Sequence, residues 1–110
     1  MEKMISEFLC QLGVTPNYHG FHYAEHAVAL AVEDPKRLLF ITKTLYPAVA
    51  AHYGTTWGCV ERNIRTVISL VWDRERETLN AFAGHQLKHK PTAAQFISIL
   101  MLYLQKTADN

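Results

Sequence analysis

The chain has almost no excess charge. Its 11 lysines and arginines against 10 aspartates and glutamates leave a formal net charge of +1 over 110 residues. A strongly basic nucleic-acid binder announces itself by composition. This chain does not, so any contact with a polyanion must come from charge gathered locally. Cysteine is also scarce. The two present, Cys10 and Cys59, stand too far apart in sequence for a C-x-x-C motif or a metal-ligand pair, and read as free thiols of a reducing compartment. Long apolar runs are missing. The longest, residues 96–104, is interrupted by Ser98 and falls well short of the roughly 20 residues that span a bilayer. The first residues, Met1 to Ile5, lack the apolar core of a signal peptide. The expected protein is soluble, cytoplasmic and away from membranes. No segment alternates as a half-buried strand does. No repeat or linker composition occurs, and only the tail 107–110 looks too polar to order.

What is present is helical spacing, punctuated by caps. Ile5, Phe8, Leu9 and Leu12 share a face in a first helix over 2–12, stopped by Gly13. A second helix is expected over 21–32. Asp34 followed by Pro35 reads as an N-cap with proline in the first turn, which opens a short third helix over 36–44. Pro47 starts a fourth, 47–53, stopped by Gly54. Thr56 caps the fifth, 57–72. A charged stretch, 73–77, leads into a short helix ending near Gly84. Thr92 and Gln95 have the spacing of a capping box, with Pro91 before them, and the last helix should run to about Gln105. The whole of 1–110 reads as one all-α domain, a compact bundle of six to seven helices containing a helix-turn-helix.

That motif is the pair 47–53 and 57–72. A short helix, a turn containing Gly54 and a longer helix have the layout of a helix-turn-helix unit. Ala50 is small enough to let the second helix cross closely. Asn63 falls where a strict pattern wants an apolar residue. The longer helix is two-faced: Val60, Ile64, Val67, Ile68 and Val71 on one side, Gly58, Glu61, Arg62, Arg65 and Ser69 on the other. The planar fork of arginine can donate twice to the major-groove edge of guanine, a pairing that discriminates by about 1–3 kcal/mol. Glu61 could accept from a cytosine amino group or hold an arginine in place. The same residues also fit a plain solvated face with a Glu61–Arg65 ion pair, worth only about 0.3–0.5 kcal/mol. Spacing alone leaves both readings open. A second basic group, Lys88, His89 and Lys90, precedes the last helix, whose first amides favour phosphate; it too fits an ordinary solvated loop.

Several of these residues together carry a resemblance. Ile41, Thr42, Lys43, Leu45, Tyr46 and Pro47, then Thr55 and Thr56, the run Val60, Glu61, Arg62, Ile64 and Arg65, Trp72, and finally Lys90, Pro91, Thr92, Phe96 and Ile97 resemble the C-terminal effector domain of the stage 0 sporulation protein A family, over about residues 5–105. These are response regulators that commit endospore-forming bacteria to sporulation. The resemblance implies a sequence-specific, helix-turn-helix transcriptional regulator of double-stranded DNA, with 56–72 as recognition helix in the major groove. It implies base reading by Glu61, Arg62 and Arg65, and backbone contact by Lys88, Lys90 and Thr56. It also implies a homodimer on tandem sites, and the nearly all-apolar last helix offers Leu100, Tyr103 and Leu104 as its contact. No cofactor, metal or small-molecule substrate is implied, and no catalysis.

Two departures stand out. Family members carry small polar and basic residues where this chain has Trp57, Gly58 and Cys59. These 110 residues leave no room for the family's phosphoacceptor receiver domain, so control by aspartyl phosphorylation is not carried over unless the chain is an excised fragment. The near-neutral charge and the altered residues Trp57, Gly58 and Cys59 motivate an alternative: a non-catalytic module that pairs with a full-length regulator through the last helix and modulates its DNA binding. Residues 22–26 fit the H-x-x-E-H pattern of some zinc peptidases, yet no third ligand is placed, and exposed helix histidines are the expectation. Nothing in sequence activates Cys59, which is expected to be a buried or semi-buried thiol, and Trp72 a core residue. Trp57 fits either a DNA contact or stacking in the turn.

Overall fold

The computed structural model describes residues 1–108. Six α-helices follow one another: α1 (Glu2–Gln11), α2 (His19–Glu33), α3 (Tyr46–Tyr53), α4 (Trp57–Arg74), α5 (Arg76–Ala83) and α6 (Ala93–Ala108). Among the described residues there is no strand. The all-α expectation holds, and the helices begin and end within three residues of the predicted limits. Helix α6 takes in Thr107 and Ala108 of the expected polar tail; residues 109 and 110 lie outside the described residues.

One predicted helix takes another form. Residues 36–44 were expected to make a single short α-helix. Instead Pro35–Phe40 winds as a 3₁₀ helix and Ile41–Leu45 as a wide π turn. The start is as predicted: Asp34 accepts a hydrogen bond from the Lys36 amide (3.2 Å). Beyond it, side chains compete with the helical ladder for backbone groups. Arg37 Nη1 donates to the Thr44 carbonyl (2.7 Å), and the Thr44 hydroxyl reaches the carbonyls of Arg37 and Phe40 (2.9 Å each). No residue of Pro35–Phe40 is buried, so no apolar stripe holds the segment to an α period.

Helix α2 is the hub, packed on α1, α4 and α6. It can serve so many neighbours because its inner face is small: Ala24, Ala27 and Ala31 are wholly buried beside Val28. Ile5 and Leu9 of α1 fill the core from one side, Val60, Ile64, Val67 and Val71 of α4 from another, and Phe96, Ile97 and Leu100 of α6 from a third. The start of α2 comes unusually close to α4. A Cβ at Gly20 would stand 2.5 Å from the Asn63 carbonyl oxygen and 2.5 Å from Val67 Cγ2, so only glycine fits there without movement.

The packing of α6 corrects one expectation. Leu100 and Leu104, offered as contacts between copies, are 0% and 4% exposed and are spent on the core. Tyr103 is half-buried, its ring stacked on Phe82 (centroids 4.2 Å, planes 12° apart) and edge-on to Phe8 (4.9 Å). The large apolar residue that α6 turns outward is Leu102, 58% exposed.

Candidate nucleic-acid interface

The turn between α3 and α4 is built as its sequence requires. Gly54 ends α3 in the left-handed region (φ 65°, ψ 39°), where a Cβ would be strained. The Thr55 amide then closes back on the Ala50 carbonyl (2.9 Å), a Schellman-type stop. Thr56 is extended, and its hydroxyl accepts from the Cys59 amide (3.2 Å), so one of α4's orphan donors is satisfied by the N-cap. Thr56 is exposed, and its hydroxyl hydrogen remains able to donate outward.

Helix α4 divides as its pattern demands. Val60, Ile64, Val67, Ile68 and Val71 are buried. Asn63, out of place in a strict apolar pattern, is half-buried; its side-chain amide donates to the Cys59 carbonyl (2.8 Å) while its own carbonyl forms the seat for Gly20. On the outer side, Arg65 Nη2 lies 2.7 Å from Glu61 Oε1, with side chains 70% and 33% exposed. Arg62 is exposed, and its guanidinium has no hydrogen-bond or ion-pair partner among the described residues. The face therefore presents one free guanidinium and one held in place.

Beneath the pair lies Tyr46, 2% exposed. Burial pushes its phenol up to about 12, and the Glu61 carboxylate adds to the effect. It is neutral at any physiological pH and forms part of the floor of an open depression of about 390 Å³ between α4 and the start of α6, whose rim carries Glu61, Arg65, Lys90 and Thr92.

The basic loop meets this depression from the other side. The Leu87 amide donates to Asn80 Oδ1 (2.9 Å), which ties the loop to α5. Lys90 Nζ donates to Ser69 Oγ on α4 (3.0 Å), a link between residues 21 apart that periodicity cannot show. At the start of α6 the capping box is reciprocal: Gln95 Oε1 accepts from the Thr92 amide (2.9 Å) and Thr92 Oγ1 from the Gln95 amide (3.2 Å). Lys88 and His89 are exposed. The structure thus brings Glu61, Arg65 and Lys90 around one depression, with Arg62 on the same helix face as Arg65. Among the described residues Lys88 makes no hydrogen bond or ion pair with α4.

The remaining candidates fall elsewhere. His22 Nε2 is hydrogen-bonded to the Pro16 carbonyl (2.7 Å), and His26 stacks on His52 of α3 (centroids 4.0 Å, planes 15° apart). The H-x-x-E-H residues therefore do not converge. Among the described residues no group of three or more His, Cys, Asp or Glu is arranged to hold a metal. Cys59 is half-buried; a hydrogen bond with Thr55 pulls its thiol below the ordinary value, against the opposing effect of burial. Trp72 packs half-buried against the core edge, with the Arg76 guanidinium 3.9 Å over its ring. Trp57, by contrast, is 50% exposed.

A short helix, a left-handed glycine turn and a longer helix with an arginine-bearing outer face define a helix-turn-helix domain of the DNA-binding class. The family model described as "Sporulation initiation factor Spo0A C terminal" matches residues 5–104. The chain belongs to that family, whose domain is the DNA-binding effector domain of Spo0A. Among the described residues no helix is long and apolar enough to cross a membrane.

Proposed function

We propose that α4 enters the major groove of double-stranded DNA, where Arg62 and Arg65 read guanines, Glu61 orients Arg65 or accepts from a cytosine amino group, and Lys88, Lys90 and Thr56 meet phosphates. The observation that carries this reading is the outer face of α4. It puts an unpartnered Arg62 and a Glu61-braced Arg65 on the second helix of the motif, in a chain of this family. The Lys90–Ser69 bond supports it, because it sets a phosphate-binding cation beside the reading helix. A regulator of this kind acts on tandem sites as a pair. With Leu100 and Leu104 committed to the core, the contact falls on outward residues such as Leu102.

The test is titration of the protein with duplexes it selects from a random pool. Arg62→Ala and Arg65→Ala should each cost about 1–3 kcal/mol at one base pair and relax selection there. Lys88→Ala should weaken all sequences alike. With Lys88 and Lys90 as the two cations on phosphates, log K should fall against log salt with a slope of about −2 per domain. No selection by folded protein would refute the reading.

A second reading has its own support. Leu39, Phe40 and Leu102 are 73%, 61% and 58% exposed, and Leu39 and Leu102 line a groove of about 510 Å³ with Ile99 and Leu87. An exposed apolar patch fits a module that pairs with a full-length regulator. Mixing the two proteins separates the readings: a complex that loses DNA affinity favours pairing.

A further inference from the structure

We infer that Trp57 is a specificity-determining contact of this chain: its indole meets the C5-methyl group of a thymine in the major groove, next to the base pairs read by the arginines. The inference rests on the proposed docking of α4 in the groove. Trp57 is the first residue of α4. It stands four residues before Glu61 and eight before Arg65, so the three form one row along the helix surface. The row is continuous with the proposed reading face rather than with the core, and half of the Trp57 surface is exposed.

Its surroundings leave few other partners. Gly58 follows, and a Cβ built there meets nothing within 4 Å, so the protein leaves the flank of the first turn bare. That turn holds Trp57, Gly58 and Cys59 and carries no acidic residue and no basic one. Nothing ionic is available there to hold a phosphate. What it presents is a large apolar ring with open approach. In the major groove thymine is the base that displays a methyl group, and apolar side chains select it by contact.

The geometry limits where that thymine lies. Eight residues of helix span about 12 Å, and base pairs are about 3.4 Å apart. The thymine should fall within about four base pairs of the pair read by Arg65. Burying one methyl group corresponds to about a three- to fivefold change in affinity. Because no counterion is displaced, the contact adds nothing to the salt dependence.

The experiment uses a duplex selected by the wild-type chain. Each thymine is replaced in turn by deoxyuridine, which removes the methyl alone, and affinities are measured for the wild type, Trp57→Phe and Trp57→Ala. At one thymine within the stated distance, the replacement should weaken the wild type about three- to fivefold and leave Trp57→Ala unaffected, with Trp57→Phe between them. Salt slopes should match across the three. In Trp72→Phe, which leaves Trp57 as the single tryptophan, emission should change on binding the thymine duplex and less on the uridine one. Equal effects of every replacement on wild type and Trp57→Ala would overturn the contact alone, provided Arg65→Ala still loses discrimination. So would a loss in Trp57→Ala that couples to no thymine, which marks a sugar or phosphate contact. A chain that selects no sequence would overturn the contact together with the docking it rests on.

Discussion

Gly20→Ala adds one methyl group where α2 crosses α4, and its cost can be worked from the contacts. The new Cβ would lie 2.5 Å from the Asn63 carbonyl oxygen and 2.5 Å from Val67 Cγ2. Ordinary contact is about 3.5–4.0 Å, so each is short by about 1 Å. Neither neighbour yields easily. The carbonyl is part of α4's backbone, and Val67 is 1% exposed with a β-branched side chain held near one rotamer in a helix. Overpacking of this kind costs about 1–3 kcal/mol. Against it stands the better helix propensity of alanine, at most about 1 kcal/mol in a helix interior and less at the second residue of α2. The net expectation is a loss of about 1–2 kcal/mol, a fair share of the roughly 5–15 kcal/mol that holds a small domain. Urea denaturation should show a lower midpoint at unchanged m-value. Gly58→Ala is the control: with nothing near its Cβ, it should be neutral or stabilising. In a Val67→Ala background the methyl clash is relieved but the carbonyl clash is not, so Gly20→Ala should still destabilise, by less. If Gly20→Ala matches or exceeds the wild type, the close approach of α2 to α4 is not a constraint and the reasoning fails.

Two other outcomes follow from the same contacts. Leu100→Ala should cost about 2–5 kcal/mol, since it empties a fully buried site, whereas Leu102→Ala should stay within about 0.5 kcal/mol; thermal unfolding of both compares the two faces of α6. His26 is held below the usual histidine range, first by burial and next by His52 stacked upon it, while Glu2, Glu33 and Glu25 oppose the shift. Its folded pKa lies below its unfolded one, so the unfolded chain binds the proton more readily and stability falls as pH drops through about 6.5. Between pH 7.5 and 5.5 the wild type should lose stability that His26→Gln does not lose, and His52→Gln should reduce the loss without abolishing it, because burial remains. Equal losses in wild type and His26→Gln would contradict this.

Most of the helix ends could be read from the sequence because their signals are local. Asp34 before Pro35, Gly54, and Thr92 with Gln95 act within a few residues of themselves, and each makes the hydrogen bond or turn its chemistry demands. The two-faced α4 was legible for the same reason. What stayed hidden depends on distant parts of the chain. The 3₁₀ and π passage follows from Arg37 and Thr44 reaching across seven residues. The role of Gly20 exists only once α2 lies on α4. Helix α6 is apolar nearly all round, so its pattern could not say whether Leu100, Leu104 or Leu102 faces out. The Ser69–Lys90 bond likewise appears only when the basic loop folds back on α4.

The free structure contains the ion pair that a plain solvated face would have, and this does not count against base reading. An exposed pair of this type is worth about 0.3–0.5 kcal/mol, while a guanine pairing is worth about 1–3 kcal/mol. Opening or sharing the Glu61–Arg65 pair on DNA therefore costs less than one correct contact returns. The pair also limits the rotamers of a side chain that is 70% exposed, so part of the ordering entropy is already spent before binding. Near-neutral charge fits the same logic. With little net attraction to phosphate from the chain as a whole, weak binding to arbitrary sequence is expected. On the proposed docking, discrimination then rests on the few groups aimed outward from α4: Arg62, the braced Arg65, and the apolar first turn.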